Sequence, residues 1–311
     1  MTNTDVRHAN LHKAAKAFLR QHRLHPDSDT YLAHGYVNLC LRAWPTAAGG
    51  PLHLATKWAI WTWVADDVFD QELSDATPAA IEQLVLTLLN TVAGANHPGP
   101  ADHPIVQALA DLVQQTQRAM PDFWRSRYRE QLASWIHAAA EKLTVYVQPG
   151  RTPTLREYLA VRPADGGMLL AAMWTELAEQ CITPDWRDPL VQSLLAAFSA
   201  CGCLTNDLAA AQDDQDTFTA VYALVSTQEM TVAEARTRVK ELLQAEEYRF
   251  WWLYTSVRRD FDDEPQPPAI GEPVLNTSRF ALTIDRFRRA LTEWTAGSSR
   301  YTLPAQLQEA G

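Results

Sequence analysis

The stretch WAIWTWVADDVFDQE, residues 58–72, decides the fold. Its apolar residues recur at spacings typical of a helix that packs one face into a core, so residues 56–72 are expected to be helical. In that helix Asp66 and Asp70 lie one turn apart on the same face, and Asp67 is rotated to the side. Carboxylates so close together repel one another and are costly to bury without a cation. Because Mg²⁺ prefers oxygen ligands, all three aspartates are candidate metal ligands.

A second polar cluster reads NDLAAAQDD, residues 206–214. Asn206 and Asp214 lie along one stripe of a helix, and Asp213 lies near the same face. Two such clusters on two apolar helices can face each other across a bundle and hold a small group of Mg²⁺ ions completed by substrate phosphates. The alternative interpretation of each cluster is a solvated helix end. Asn206, Asp213 and Asp214 therefore join the candidate metal ligands.

Helical patterns cover most of the chain, and no convincing β-alternating run interrupts them. After an N-terminal segment of residues 1–30, with a short helix around 11–23, residues 31–311 are predicted to form one all-α domain. Thr77 and Thr154 are placed to cap two of its helices. The predicted helices are 31–44, 56–72, 78–93, 104–119, 122–147, one from Thr154 that is interrupted at Pro163, 168–180, 189–213, 217–228, 231–254 and 277–296, with further breaker signals at 45–51 and 166–167.

Composition and charge narrow the class of protein. Of the 311 residues, 47% are hydrophobic and 21% are charged, which is typical of a soluble globular chain. The net charge of −10 argues against nucleic acid or an anionic membrane as a partner. The four cysteines are too few for a disulfide framework and are interpreted as buried thiols. Since no signal-like or membrane-spanning apolar run occurs, a cytoplasmic protein without stable membrane insertion is predicted.

Two shorter motifs follow the first cluster. The run Arg162-Pro-Ala-Asp165-Gly166-Gly167 places a proline and two glycines inside an apolar helical pattern, which breaks the helix and frees backbone groups. Beside such a break Arg162 is a natural donor to phosphate oxygens, and Asp165 can hold it in place. The alternative is an Arg–Asp pair with a structural role alone. The dipeptide at residues 300–301, Arg-Tyr, has no meaning by itself.

Taken in order, these four motifs resemble those of the bacterial class I terpene synthases. The resemblance covers about residues 55–301 and consists of a DDxxD motif at 66–70, an R-x-x-D-G element at 162–166, an NSE-type motif that begins at Asn206, and the C-terminal Arg-Tyr pair. It implies an all-α, single-domain terpenoid synthase bundle around an aromatic-lined pocket. It also implies three Mg²⁺ ions that hold the diphosphate of a linear isoprenyl substrate, and it allows a homodimer.

The same resemblance assigns metal-binding roles. Asp66 would be the principal ligand of the first motif, while Asp67 would pair with Arg300 when the site closes. Asn206 and Asp214 would bind one Mg²⁺. These assignments are expectations for the positions that match the family motifs.

Catalytic roles come from the resemblance as well. Arg162 would sense the diphosphate, Asp165 would connect it to the helix break, and the carbonyl of Gly166 would act on the developing cation. Arg300 and Tyr301 would donate to the diphosphate. Aromatic faces stabilise a carbocation without trapping it. Candidates for substrate contact are Trp63, Phe69, Trp174 and Trp294, and for each of them core packing is the alternative.

Three positions depart from the family pattern. Ala210 stands where the NSE motif has Ser or Thr, so one oxygen ligand is missing. Asp214 replaces the usual Glu, and Asp213 replaces the usual basic residue. The departures leave open an altered metal site that uses Asp213, a weaker Mg²⁺ affinity, or a loss of activity.

The predicted function is Mg²⁺-dependent cyclisation of farnesyl or geranylgeranyl diphosphate to a terpene hydrocarbon or alcohol, with the C20 substrate slightly favoured. One alternative is a synthase that acts on a bicyclic diterpenyl diphosphate. Another is a non-catalytic helical protein with a degenerate metal site. A chain-elongating prenyltransferase would need a second DDxxD motif, and the acidic run at 260–263 lies in a Pro-rich stretch interpreted as a solvated loop.

Overall fold

Helices form nearly all of the structure, a computed structural model that describes residues 3–95, 98–210, 218–261 and 273–301. Within these ranges one parallel pair of two-residue strands joins β1 (Cys181–Ile182) to β2 (Val274–Leu275). The helices are α1 (Asn3–Gln21), α2 (Ser28–Leu32), α3 (Tyr36–Ala43), α4 (Gly49–Asp67), α5 (Pro78–Val92), α6 (Pro104–Ala119), α7 (Asp122–Lys142), α8 (Leu155–Asp165), α9 (Met168–Glu179), α10 (Pro189–Ala210), α11 (Ala220–Gln228), α12 (Val232–Asp260) and α13 (Thr277–Gly297). The prediction of an all-α fold is confirmed.

Caps fix helix starts at the predicted positions. The Thr77 hydroxyl accepts a hydrogen bond from the backbone N–H of Ala80 at the start of α5, and Pro78 occupies the first turn, where no amide donor is needed. Thr154 and Glu157 form a reciprocal capping box at the start of α8. The sequence signals that predicted these two helix starts are therefore confirmed.

Two long helices widen at their carboxyl ends. α4 continues as a π-helical segment at Val68–Glu72, and α7 continues as another at Leu143–Val147. A π-helix bonds each N–H to a carbonyl five residues earlier and occurs mostly as a single turn within a longer helix, often at a functional site. The two segments pack against each other. The predicted helices 56–72 and 122–147 therefore exist, but their last turns are wider than an α-helix.

Three breaker signals act differently from the prediction. Gly35, with φ of +86°, divides the predicted helix 31–44 into α2 and α3. The glycines and proline at 49–51 begin α4 instead of separating it from its neighbour, because a proline in the first turn loses no intrahelical bond. Pro163 lies inside α8, which continues to Asp165. A proline so close to the end of a helix removes few hydrogen bonds, so the helix tolerates it.

α4 and α10 occupy the centre of the bundle. α10 packs against α12 and α13, and α4 packs against α9 and α6. From the N-terminal segment, α1 adds Leu11, Phe18 and Leu19 to the same buried cluster. By length and composition α10 is the one helix among the described residues that could cross a membrane, and here its Leu194 and Phe198 are completely buried in protein. The inward faces of these helices leave room for a cavity at the centre of the bundle.

A completely buried carboxylate ties α9 to the elements around it. Glu176 accepts hydrogen bonds from Trp124 Nε1 (2.7 Å), Arg127 (2.5 Å), the backbone N–H of Thr183 (2.8 Å) and Trp186 Nε1 (3.1 Å). Both oxygens are therefore satisfied, as a buried carboxylate requires. This network joins α7 and α9 to the turn that follows β1.

Candidate active site

A central cavity of about 100 Å³ lies between α4, α8, α9, α10 and α13. Its polar lining comes from Asp66, Arg162, Asp165, Asn206 and Tyr301. Its aromatic lining comes from Trp63, Trp135, Trp174, Phe287 and Trp294. The predicted aromatic-lined pocket is thus confirmed, and residues from all four sequence motifs contribute to it.

Three tryptophans form a connected aromatic wall. The ring centroid of Trp63 lies 6.2 Å from that of Trp174 and 5.3 Å from that of Trp294. The indole N–H of Trp174 donates to the Tyr128 hydroxyl, and that of Trp294 donates to the His34 carbonyl. Since both N–H groups are satisfied away from the cavity, the ring faces remain available to an apolar or cationic ligand.

Phe69 does not line this cavity, although it was a candidate for substrate contact. It lies on the π-helical segment after α4, and its ring is completely buried. The ring meets Trp135 edge to face, with centroids 6.2 Å apart. Phe69 therefore supports a lining residue from behind.

Asp67 and Arg300 form a bidentate ion pair. The two terminal nitrogens of Arg300 donate to the Asp67 carboxylate at 2.6 and 3.2 Å, and the Tyr31 hydroxyl donates to the same carboxylate at 3.1 Å. Asp66 lies 3.7 Å from the same guanidinium. Burial alone lowers the pKa of Arg300, but Tyr36 and Asp67 outweigh it and hold that pKa well above its usual value. The pair that the resemblance implies for a closed site is present in this structure.

Asp70 pairs with a lysine that the sequence reasoning missed. The Nζ atom of Lys142 lies 2.7 Å from Asp70 Oδ1, 3.3 Å from Asp165 Oδ1 and 3.6 Å from Asp66 Oδ1. Burial lowers the pKa of Lys142, but Asp165 and Asp70 outweigh it and keep the ammonium charged. One signal for Lys142 is present in the sequence. Lys142 follows Trp135 by two helical turns and so lies on the same apolar face of α7, where a lysine is unusual.

Arg162 joins the helix break to the second motif. One terminal nitrogen donates to Asp165 at 2.8 Å, and the other donates to Asn206 Oδ1 at 2.7 Å and to Asp207 Oδ1 at 2.8 Å. The Asn206 amide in turn donates to the Tyr301 hydroxyl at 2.6 Å. Four residues singled out from three separate motifs are thus in direct contact.

Asp207 was not singled out from the sequence as a site residue. Besides the bond from Arg162, its carboxylate accepts from the Tyr158 hydroxyl and from the backbone N–H of Ala220, the latter at 2.9 Å. Asp207 is completely buried. Its oxygens are occupied in orienting Arg162 and in holding the start of α11, so they are not free for a metal ion.

The break between α8 and α9 brings the backbone against α10. The N–H of Gly166 donates to the Arg162 carbonyl at 2.8 Å, and Gly167 has a φ of +63°. A Cβ atom at Gly166 would overlap the Cys203 sulfur and lie 3.1 Å from the Arg162 carbonyl oxygen. Glycine at 166 is therefore required by a close approach of two helices, and glycine at 167 by its left-handed backbone.

Two candidate oxygen donors for a metal ion lie on the cavity wall, the Asp66 carboxylate and the Asn206 amide. The amide oxygen accepts from Arg162 in this structure, so Asn206 binds an ion only if Arg162 moves to another acceptor. Among the residues that the structure describes, no group of three or more acidic, histidine or cysteine side chains is arranged to hold an ion unaided. Mg²⁺ often uses one or two protein oxygens and completes its coordination with water and phosphate, so this donor set fits a metal ion that binds together with a diphosphate. Asp213 and Asp214 lie outside the described residues.

A larger groove of about 1020 Å³ lies on the outer side of α8 and α10. Leu159, Trp186 and Leu242 contribute to its wall. It shares Arg162 with the central cavity but includes neither Asp66 nor Asn206. The groups that could bind a metal and a diphosphate converge in the smaller cavity, which is therefore the candidate active site.

Comparison with models of protein families identifies the family of this chain. A family model described as terpene synthase family 2, C-terminal metal binding, matches residues 57–249, which is more than half of the chain. This chain belongs to terpene synthase family 2. The matched range includes Asp66, Arg162 and Asn206, whereas the Arg-Tyr pair at 300–301 lies beyond it.

Relatives of this terpene synthase family 2 chain include bacterial sesquiterpene enzymes. A (+)-T-muurolol synthase of Roseiflexus castenholzii, described as cyclizing (2E,6E)-farnesyl diphosphate, is 30% identical over 56% of this chain and 53% of its own length. The pristinol synthase of Streptomyces pristinaespiralis is 24% identical over 83% of this chain and 70% of its own length. The chain thus spans about half of the first relative and more of the second.

Solved structures establish the fold of this family 2 member. A linalool/nerolidol synthase from Streptomyces clavuligerus, solved in complex with 2-fluorogeranyl diphosphate, superposes with a TM-score of 0.78 over 93% of this chain and 98% of its own, at 19% identity. Germacradien-4-ol synthase from Streptomyces citricolor gives 0.79 over 94% of each chain, at 20% identity. The chain has the all-α class I terpenoid synthase fold.

Proposed function

We propose that this chain is a class I terpene cyclase that ionises a linear isoprenyl diphosphate and cyclises the resulting carbocation. The observation that carries the proposal is the convergence of Asp66, Arg162 and Asn206 with three tryptophan rings around one cavity. Carboxylate, amide and guanidinium groups suit a metal-bound diphosphate, whereas aromatic faces suit a cation. A reaction that separates a diphosphate anion from a carbocation needs both.

Arg162 and Tyr301, which line the cavity, would bind the diphosphate, and Asp66 would hold a divalent ion. Arg300 and Asn206 would join them by exchanging a partner, because the Arg300 guanidinium is paired with Asp67 and the Asn206 amide oxygen accepts from Arg162. Arg162 lines the cavity, and its Nε–H has no hydrogen-bond partner among the described residues, which leaves one donor of the guanidinium unsatisfied. A divalent ion held there supplies charge that stabilises the departing diphosphate. Arg162 adds to that stabilisation because its orientation is already fixed by three acceptors.

The hydrocarbon chain reacts against the aromatic wall. Ionisation breaks the allylic C–O bond, and the bonding electron pair leaves with the diphosphate. The rings of Trp63, Trp174 and Trp294 stabilise the cation and exclude water from it. Cyclisation ends when the cation loses a proton, which the diphosphate can accept, or when it gains a water molecule and releases a proton. The first outcome gives a hydrocarbon and the second an alcohol.

Farnesyl diphosphate is the substrate that we propose in preference to the C20 chain that the sequence slightly favours. The (+)-T-muurolol synthase, which is 30% identical over 56% of this chain, is described as acting on farnesyl diphosphate. The described substrate of this relative supports the C15 chain.

The test is an incubation of the purified chain with Mg²⁺ and one diphosphate at a time, followed by gas chromatography–mass spectrometry of a hexane extract. The substrates are the linear C10, C15 and C20 diphosphates and a bicyclic C20 diphosphate. We expect a cyclic C15 product from farnesyl diphosphate. The product should disappear in Asp66→Ala and in Asn206→Ala.

Asp75→Asn is the matched control, since Asp75 is an exposed acid just beyond the first motif. It should retain the activity of the parent chain. A cyclic product from a C20 substrate alone would overturn the chain-length assignment and keep the reaction class. No product from any substrate would refute the cyclase and favour a non-catalytic helical protein.

A further inference from the structure

Lys142 lies inside the carboxylate cluster that the sequence assigns to metal ions. It is the last residue of α7, and 6% of it is exposed. Its Nζ atom lies 2.7 Å from Asp70 Oδ1, 3.3 Å from Asp165 Oδ1 and 3.6 Å from Asp66 Oδ1. One ammonium group therefore contacts both ends of the DDxxD motif and the acid that holds Arg162.

The contact with Asp165 anchors the ammonium in this position. The Asp165 side chain is completely buried, and its Oδ2 atom accepts from Arg162 at 2.8 Å. Its Oδ1 atom has no hydrogen-bond partner among the described residues, and Lys142 is the cation that faces it. Withdrawal of Lys142 would leave a buried charged oxygen uncompensated, which is strongly unfavourable. Lys142 is thus held in the cluster by a group that does not bind substrate.

A fixed ammonium changes what the DDxxD motif can bind. A divalent ion that bridged Asp66 and Asp70 would lie within a few ångströms of Nζ, where two positive charges repel strongly. Asp70 already has a cationic partner, the Lys142 ammonium at 2.7 Å. Asp66 lines the cavity, and its oxygens are less closely paired than those of Asp70, since Oδ1 lies 3.6 Å from Lys142 and Oδ2 lies 3.7 Å from Arg300.

We propose that Lys142 is a resident cation of the DDxxD motif that takes the place of one divalent ion, so that the site binds diphosphate with two divalent ions instead of three. The proposal rests on the diphosphate site of the proposed function. Lys142 is a positioning residue: it holds Asp70 and links the motif, through Asp165, to Arg162. A charge on the protein is pre-organised and requires no capture of an ion from solution.

The test is a count of Mn²⁺ ions bound in the presence of inorganic pyrophosphate, measured by electron paramagnetic resonance of the unbound Mn²⁺ during a titration. We expect two ions per chain in the parent protein. Lys142→Met should bind one ion more, because removal of the ammonium opens Asp66 and Asp70 to a divalent ion. Lys142→Arg keeps the charge and should bind two.

Lys57→Met is the matched control, since it removes a lysine of α4 that donates to Gln115 at 3.1 Å, outside the cavity lining. It should leave the ion count at two. A count of three in the parent chain would overturn the proposal, and so would equal counts in the parent chain and Lys142→Met. If Lys142→Met fails to fold, the parent count decides between two and three.

The ion count is separable from the cyclase proposal because pyrophosphate is not a substrate for cyclisation. Counts of two and three in the parent and Lys142→Met chains, with no terpene product from any diphosphate, would support the resident cation and refute the cyclase. A product from farnesyl diphosphate together with three ions in the parent chain would support the cyclase and refute the resident cation. Rescue of the count by Lys142→Arg distinguishes a role of the charge from a loss of packing.

Discussion

Gly166→Ala tests whether the close approach of the helix break to α10 shapes the active site. The added Cβ atom would lie closer than 3.0 Å to the Cys203 sulfur and 3.1 Å from the carbonyl oxygen of Arg162. Non-bonded carbon atoms attract each other most strongly at about 3.5–4.0 Å, so the added Cβ atom and the Cys203 sulfur must separate by roughly an ångström. The overlap is relieved when the Cys203 side chain rotates or when the break moves away from α10, and in the second case Arg162, four residues before Gly166, moves with it.

The expected loss in the free energy of unfolding is about 2 kcal/mol, the middle of the range for overpacking in a well-filled core. Cys203→Ala alone should cost about 1 kcal/mol, because it removes one buried sulfur of methylene-like size. The double variant lacks the sulfur that makes the closest contact with the added Cβ atom. It should therefore be about as stable as Cys203→Ala alone, with a coupling energy above 1 kcal/mol between the two positions.

Urea unfolding of the four chains measures this coupling, and product formation from farnesyl diphosphate measures its effect on the site. Gly166→Ala should lose most of its activity and regain part of it in the double variant. Cys201→Ala is the control, since Cys201 is a buried thiol of α10 that does not face Gly166. Additive stability effects of Gly166→Ala and Cys203→Ala, within about 0.4 kcal/mol, would refute the steric reasoning.

Four further predictions concern single residues. Asp67→Asn should lower the free energy of unfolding by about 2 kcal/mol, because Arg300 loses a charged partner. Differential scanning calorimetry measures this change, and an unchanged midpoint of thermal unfolding would contradict it. Glu176→Ala should cost about 4 kcal/mol, since it removes the acceptor of four donors, two of them in buried and two in partly buried hydrogen bonds. Glu176→Gln should cost less, and urea unfolding makes the comparison. The pKa of Glu157 is lowered to about 2 by hydrogen bonds from the backbone N–H of Thr154, the Arg151 guanidinium and the Thr154 hydroxyl. The stabilising effect of the Glu157 carboxylate is therefore complete above about pH 4.5 and is lost as the pH falls toward 2. The difference in the free energy of unfolding between the parent chain and Glu157→Gln should disappear over that interval. Trp174→Ala should enlarge the cavity and raise the yield of product from geranylgeranyl diphosphate relative to that from farnesyl diphosphate. Gas chromatography of reactions that contain both substrates measures this ratio. An unchanged ratio would show that Trp174 does not limit the length of the substrate chain.

The sequence predicts most of the helices because their signals are local. Thr77 and Thr154 mark helix starts, and the apolar spacing before Asp66 marks the inward face of α4. The first motif is equally local, since five residues carry three acids. The meeting of Arg162 with Asn206 follows only from the order of the motifs in a family, because 44 residues separate them.

Features that depend on distant parts of the chain escape such reasoning. Lys142 contacts Asp70 across 72 residues, and nothing near either residue specifies the pair. Asp207 is held by Tyr158 and by the start of α11, so its role depends on how two other helices pack. Pro163 was predicted to interrupt a helix, and the helix continues because only its final turn is affected.

The π-helical segment at Val68–Glu72, which contains Asp70 of the DDxxD motif, holds one residue more than an α-helical turn needs. A π-turn holds one residue more than an α-turn over a similar rise, so deletion of Gln71 would let the segment relax to ordinary α-helical bonding without displacing its flanks. Asp70 would then rotate relative to Asp66 and leave Lys142, which remains fixed on α7. We therefore expect sequences related to this one to vary in length by one residue at this turn, with a lysine at the position of Lys142 wherever the longer form is kept.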